Sequence, residues 1–168
     1  PEYPQGVLDP AILPIDAERA AWLQMALEAL VVFGDAQEDA DLEAVFDLNR
    51  HWHAMGEWRA LENHDLEAAF ALVRGGVSEV ADLMIRRLGD GATDYMDVLE
   101  ADLGEGDSLR VRVRVWRYQS ETYTYLDLWF ADHDQGWRLF DMASPVTGVR
   151  LSRLSAELLQ PDGKGLVP

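Results

Sequence analysis

Three strand-like segments follow one another between Asp107 and Ala143 and are joined by short polar connections. In the first, Leu109 to Tyr118, apolar residues alternate with arginines. Neighbouring side chains of a strand point to opposite faces of its sheet, so this spacing predicts one face for a hydrophobic core and one face that carries charge. The short connections predict that the segments form an antiparallel meander.

Amphipathic helices are predicted before the strands. Asp16 is placed as the N-cap of a first helix, whose apolar residues recur at spacings of three and four up to Gly34. Asp35 and Glu38 have the spacing of a capping box, which predicts a second helix that continues to about Gly56. Three further helices are expected at residues 57–62, 65–74 and 78–89.

Helices that precede strands indicate an α+β protein, in which N-terminal helices pack on an antiparallel meander and a short C-terminal helix follows. At 168 residues the chain has the length of a single domain. We expect one domain over 1–168, with a helical part at about 14–90, a sheet part at about 93–143, a C-terminal helix capped by Ser152 at about 150–160, and a loose tail at 161–168.

The chain is strongly acidic, with a formal net charge of −17. This charge disfavours binding to nucleic acids and anionic membranes, and it would steer a basic partner toward the protein. Cysteine is absent, which excludes disulfides and thiolate chemistry. Because the chain begins at Pro1, we expect either a mature exported protein, for example a periplasmic one, or a domain of a longer chain, and a cytoplasmic location stays open.

Two histidines lie close together in the second predicted helix. His51 and His53 are two residues apart and would lie on different sides of a helix, whereas helical zinc ligands usually lie four residues apart. We therefore expect no metal site here, and no cofactor elsewhere in the chain.

Two aspartates are candidates for a catalytic base in an isomerase- or dehydratase-like reaction, namely Asp127 and Asp141, with His51 and His53 as further candidates. Asp127 can equally pair with Arg112 or Arg114 on the neighbouring strand. No catalytic signature is present, so we expect that the protein is not an enzyme.

Aromatic residues and arginines are predicted to share one face of the sheet. If the first two meander strands pair through Gln119 and Ser120, alternation brings together Arg110, Arg112, Arg114, Trp116, Tyr118, Tyr123, Tyr125, Asp127 and Trp129. Trp, Tyr and Arg are enriched at binding hot spots, which suits an amphiphilic or anionic ligand or a protein partner. The same set also suits a solvent-exposed face on which arginines stack on rings and pair with acids.

The end of the chain resembles a known superfamily. The segments Gly136 to Met142 and Gly148 to Ser152 are similar to the end of nuclear-transport-factor-like domains, which are cystatin-like α+β cones, and in particular to exported bacterial phospholipid-shuttle domains of the Mla type. The resemblance covers mainly residues 93–160. It implies helices that cover a curved antiparallel sheet.

Two functions fit these patterns better than the isomerase- or dehydratase-like enzyme does. The first is a non-enzymatic binding domain that holds a small apolar or amphiphilic molecule between helices and sheet, and a cavity above roughly 300 Å³ beneath the helices would favour it. The second is an acidic protein-interaction module, either an inhibitor- or immunity-like protein that captures a basic partner or a homodimer formed through the open sheet face. A filled interior beside an exposed aromatic and arginine face would favour the second.

Overall fold

The computed structural model describes residues 13–33, 44–58, 93–104, 106–117, 122–134 and 136–158. Its elements in chain order are α1 (Ala17–Phe33), α2 (Leu48–Gly56), β1 (Thr93–Leu103), β2 (Ser108–Arg117), β3 (Thr122–His133), β4 (Gly136–Ala143) and α3 (Leu151–Leu158). This order confirms the predicted α+β class. The helices predicted at 65–74 and 78–89 and the tail at 161–168 lie outside the described residues. No helix in the described part is long and apolar enough to cross a membrane.

The four described strands form one antiparallel sheet in the order β1-β2-β3-β4, as predicted for a meander. In the β2–β3 register Arg112 lies opposite Asp127, and Trp116 lies opposite Tyr123. Arginine and aromatic positions therefore share one face, as the alternation predicts. The connection predicted at Gln119 and Ser120 lies outside the described residues.

The hydrophobic core lies on the other face of the sheet. The strand residues at its centre are at most 3% exposed, namely Leu109, Val111, Val113, Leu128 and Phe130. Leu23 and Leu27 of α1 belong to the same cluster. Full burial of each such side chain contributes about 1.5–3 kcal/mol, so the apolar half of the β2 alternation is what holds the helices on the sheet.

α1 begins where the sequence predicts. Oδ1 of Asp16 accepts a hydrogen bond from the backbone N–H of Arg19 at 2.8 Å, which is the geometry of an N-cap. The indole Nε1 of Trp137, on β4, donates to the carbonyl of Arg19 at 3.0 Å. The guanidinium of Arg19 also pairs with Asp132 at 2.8 Å. These contacts fix the first turn of α1 to the β3–β4 hairpin.

The helix predicted from residue 35 to about residue 56 is interrupted, so that part of the prediction is wrong. Phe46 forms a parallel bridge with Leu139 of β4, and the N–H of Asp47 donates to the carbonyl of Leu139 at 2.8 Å. Oδ1 of Asp47 accepts from the N–H of Arg50 at 2.9 Å, which makes Asp47 the N-cap of α2. Phe46 is 2% exposed, and the burial of its side chain favours the break in the helix. The break costs little because Asp47, the next residue, caps the helix that follows.

The predicted C-terminal helix is present as α3, but Ser152 is not its cap. Ser152 lies inside the first turn, where its N–H and its hydroxyl donate to Asp141 at 3.0 and 2.7 Å. The carboxylate of a neighbouring strand thus takes the place of a local cap. A partner this distant in sequence cannot be read from the spacing of residues along a helix.

Candidate functional site

A cleft of about 500 Å³ opens between α1, the residues just before α2, and the β3–β4 hairpin. We call it the α1 cleft. Its apolar wall consists of Trp22, Met25, Ala26, Ala29, Ala44 and Val45. The remaining lining residues all belong to the hairpin, namely His133, Asp134, Gly136, Trp137 and Arg138. The charged residues of the cleft, Asp134 and Arg138, are among them. The volume falls within the roughly 300–1,000 Å³ typical of small-molecule sites.

α1 has one apolar side that serves both the core and the cleft. Leu23 and Leu27 are buried in the core, and Trp22 and Ala26 pack against that core and also line the cleft. Ala29 continues the cleft lining, so that Trp22, Ala26 and Ala29 lie at spacings of four and three. Residues at these spacings are neighbours on a helix surface. The two alanines leave space that larger side chains would fill, so the opening of the cleft depends on small residues at these positions.

Asp47 holds the opposite wall in place. Its Oδ1 caps α2, its Oδ2 lies 2.9 Å from Nε2 of His133, and its N–H bonds to the carbonyl of Leu139. These contacts tie Ala44 and Val45, which immediately precede the Phe46 bridge, to the β3–β4 hairpin. Both walls of the cleft are therefore attached to the β3–β4 hairpin, α1 through Arg19 and the residues before α2 through Asp47.

Two charged lining residues are not engaged in this way. Arg138 and Asp134 are exposed, and within the described part of the chain neither side chain forms an ion pair or hydrogen bond. Both belong to the hairpin, which is the polar side of the α1 cleft. An apolar wall that faces charged groups is the arrangement that suits an amphiphilic ligand.

The arginines of the predicted binding face are paired with acids. Arg112 makes a two-pronged contact with Asp127, with Nε–Oδ1 at 2.7 Å and Nη2–Oδ2 at 2.9 Å. Of the two partners predicted for Asp127, the structure therefore selects Arg112, and the hydrogen bond to Asp127 raises the pKa of this guanidinium. Arg114 bonds instead to Asp97, with Nε–Oδ2 at 3.1 Å. The charge of this face is thus largely balanced within the sheet.

Rings on the same face are partly covered by arginines. The guanidinium carbon of Arg114 lies 4.8 Å from the centre of the Tyr123 ring, and that of Arg150 lies 4.3 Å from the centre of the Trp129 ring. Tyr123 and Tyr125 remain 49% and 40% exposed. This geometry is that of the solvent-exposed alternative, and a binding role for the face stays a prediction. Tyr118 lies outside the described residues.

His51 is fully buried between α2, β4 and α3. Its Nδ1 lies 2.6 Å from the carbonyl oxygen of Phe140, and since a carbonyl only accepts, Nδ1 carries the proton. Nε2 lies 3.2 Å from the hydroxyl of Ser155. Burial lowers the pKa of His51, against the smaller opposing effects of the Phe140 carbonyl and the Asp141 charge. His53 is exposed, so the two histidines lie on different sides of the helix as predicted.

Asp141 is also fully buried. Oδ1 accepts from the backbone N–H groups of Met142 and Ser152, both at 3.0 Å, and Oδ2 accepts the hydroxyl of Ser152. The indole of Trp58 in turn donates to the Ser152 hydroxyl at 3.1 Å, and Nη1 of Arg150 lies 3.9 Å from Oδ2. The Asp141 cluster, as we call these five residues, joins β4 to α3 and to the end of α2.

The candidates proposed from sequence and the residues of the cleft are different sets. Asp127, Asp141, His51 and His53 do not line the α1 cleft. The described residues hold no group of three or more His, Asp and Glu side chains placed to bind a metal. The spacing of Trp22, Ala26 and Ala29 indicates that these side chains are neighbours on one side of a helix. It does not indicate that the β3–β4 hairpin lies beside them, and the cleft exists only because it does.

No model of a protein family matches the chain, and neither does any curated protein. Among solved structures, the chain is similar to the phospholipid-binding protein from Ralstonia solanacearum, which was solved in complex with a phospholipid. The TM-score is 0.51 and the sequence identity 14%, over 85% of this chain and 84% of that one. At this identity the similarity shows a shared fold.

Proposed function

We propose that this protein is a non-enzymatic binding domain that holds an amphiphilic lipid in the α1 cleft. The observation that carries the proposal is the composition of the cleft, in which an apolar wall faces charged residues within about 500 Å³. The apolar body of the ligand lies against Trp22, Ala26 and Ala29, and its polar head lies at the hairpin. The phospholipid bound by the Ralstonia protein of the same fold supports this ligand class.

The proposal agrees with the resemblance of the chain's end to nuclear-transport-factor-like domains of the Mla phospholipid-shuttle type. A carrier of this kind takes up a lipid, shields its apolar part from water and releases it unchanged. Export to the periplasm fits this role and stays a prediction from the sequence.

The surroundings of the candidate bases support binding without catalysis. A general base needs a lone pair within hydrogen-bond reach of its substrate. Asp127 is engaged by Arg112, Asp141 accepts hydrogen bonds from Met142 and Ser152, and both ring nitrogens of His51 lie within hydrogen-bond distance of protein atoms. Each group would have to leave these partners before it could act on a ligand.

A protein partner at the arginine and aromatic face is a second candidate, favoured by the exposure of Tyr123 and Tyr125. Exposed tyrosines are common at interface hot spots. Light scattering coupled to size-exclusion chromatography gives the relevant measurement. A stable dimer with no affinity for lipid would favour this candidate over a carrier.

The carrier proposal is tested with saturated fatty acids that differ by two methylene groups, by displacement of a fluorescent fatty-acid analogue. Each buried methylene contributes about 0.8 kcal/mol, so two more should lower the Kd roughly 15-fold until the cleft is full. Ala29→Trp should abolish this gain because the indole occupies the cleft. Ala21→Trp is the matched control, since Ala21 is exposed on the same helix and does not line the cleft. Equal binding of all chain lengths, or equal binding by both variants, contradicts the proposal.

A further inference from the structure

The hairpin side of the α1 cleft carries one positive and one negative side chain that form no ion pair or hydrogen bond with the residues that the structure describes. Arg138 and Asp134 both line the cleft and both are exposed. The other charged side chains nearby are already engaged, because His133 contacts Asp47 and Asp132 pairs with Arg19. The two remaining charges are therefore available to a ligand in the cleft.

Arg138 differs from the other arginines whose side chains the structure describes. Every other arginine whose side chain the structure describes has an acidic or carbonyl partner. In a chain with 31 acidic residues, an arginine that pairs with none of those in the described part stands out. A planar guanidinium at the polar side of a cleft is well suited to bind a phosphate or a carboxylate through two parallel hydrogen bonds.

We propose that the α1 cleft selects amphiphiles whose headgroup is zwitterionic, with a phosphate that pairs with Arg138 and an ammonium group that pairs with Asp134. Choline and ethanolamine phospholipids and their single-chain lyso forms have this chemistry. The inference rests on the proposed function and adds to it the charge of the headgroup.

Charge complementarity separates this class from its alternatives. A lipid with a net negative head can pair with Arg138 but brings its excess charge toward Asp134 and toward a protein of net charge −17. An uncharged head leaves both side chains without partners. A zwitterion satisfies both side chains and approaches the protein with no net repulsion.

The test compares four lipids with the same acyl chain, each below its aggregation concentration: lysophosphatidylcholine, lysophosphatidic acid, the free fatty acid and the monoacylglycerol. Affinities are measured by isothermal titration calorimetry. We expect lysophosphatidylcholine to bind at least tenfold more tightly than each of the other three. Arg138→Gln should remove most of that preference, and Asp134→Asn should weaken lysophosphatidylcholine while it strengthens lysophosphatidic acid.

Matched controls come from an exposed ion pair on α3. Nε of Arg153 lies 2.8 Å from Oε1 of Glu157, and neither residue lines the α1 cleft. Arg153→Gln and Glu157→Gln therefore repeat the two charge changes without touching the cleft. Both should keep the wild-type order of affinities. Arg138 and Asp134 are exposed, and thermal melts should confirm that their variants fold as the wild type does.

The outcomes separate the two proposals. Equal affinity for all four lipids overturns headgroup selection and leaves the carrier function standing. Tightest binding of lysophosphatidic acid, lost in Arg138→Gln, also overturns the zwitterionic assignment and favours an anionic head. Failure to bind any of the four lipids refutes the proposed function, and the inference with it.

Discussion

Substitution of Asp141 tests whether the Asp141 cluster anchors the C-terminal helix. In Asp141→Ala the buried N–H groups of Met142 and Ser152 lose their acceptor, and each unsatisfied buried donor costs about 1–3 kcal/mol. The hydroxyl of Ser152 can rotate toward another acceptor, so its loss of Asp141 adds little to this cost. The free energy of unfolding should therefore fall by about 2–6 kcal/mol, a large part of the 5–15 kcal/mol that stabilises a typical domain.

A second substitution at the same position separates the hydrogen bonds from the charge. Asp141→Asn keeps one carbonyl oxygen that can accept both backbone N–H groups but loses the ionised partner of the Ser152 hydroxyl, and it should cost about 1–2 kcal/mol. Glu157→Gln, which removes an exposed ion pair on α3, should cost less than about 0.5 kcal/mol.

Urea denaturation followed by far-UV circular dichroism and tryptophan fluorescence measures these differences. Trp58, whose indole donates to Ser152, is one of the six tryptophans that contribute to this fluorescence. The denaturation midpoint should shift while the slope with urea stays unchanged, since the surface exposed on unfolding is the same. If Asp141→Ala costs no more than Glu157→Gln, the hydrogen bonds of the cluster do not stabilise the fold and the reasoning fails.

The other two predictions concern a titrating group and an ion pair. Burial lowers the pKa of His51 from 6.5, so the unfolded chain takes up this proton at a higher pH than the folded chain does. The free energy of unfolding should thus fall as pH drops below about 6.5, by at most about 1.4 kcal/mol per pH unit. His51→Gln should flatten this slope and the exposed His53→Gln should not, and equal slopes would contradict the assignment. A double-mutant cycle of Arg112 and Asp127 should give a coupling energy of about 1 kcal/mol, limited by the partial exposure of Arg112, and a value near zero would make their pairing energetically irrelevant.

The sheet and α1 were predictable because their signals are local. The alternation in β2 fixes both its secondary structure and its buried face, and Asp16 marks the start of α1 at the distance in sequence where a cap acts. The pairing of Asp127 was predicted only as a choice between two arginines. The choice depends on the register of β2 and β3. Alternation alone does not determine this register, because registers that differ by two residues place the same side chains on the same face.

The features that escaped prediction depend on contacts between distant segments. The break before α2 requires that Phe46 reach β4, and the position of Ser152 inside α3 requires Asp141 on the preceding strand. The α1 cleft requires a helix and a hairpin more than 100 residues apart in sequence. Residue spacing along a single element carries no information about such distances.

The acids of β1 have a consequence for how the sheet assembles. A slip of β1 along β2 by two residues would keep its core residues Val98 and Ala101 on the core face, so alternation alone does not exclude it. In the native alignment Asp97, Glu100 and Asp102 lie opposite Arg114, Arg112 and Arg110. A slipped alignment would leave one charge without its counterpart at each end of this row. The row of ion pairs therefore favours the native register of β1 and β2 over a register displaced by two residues.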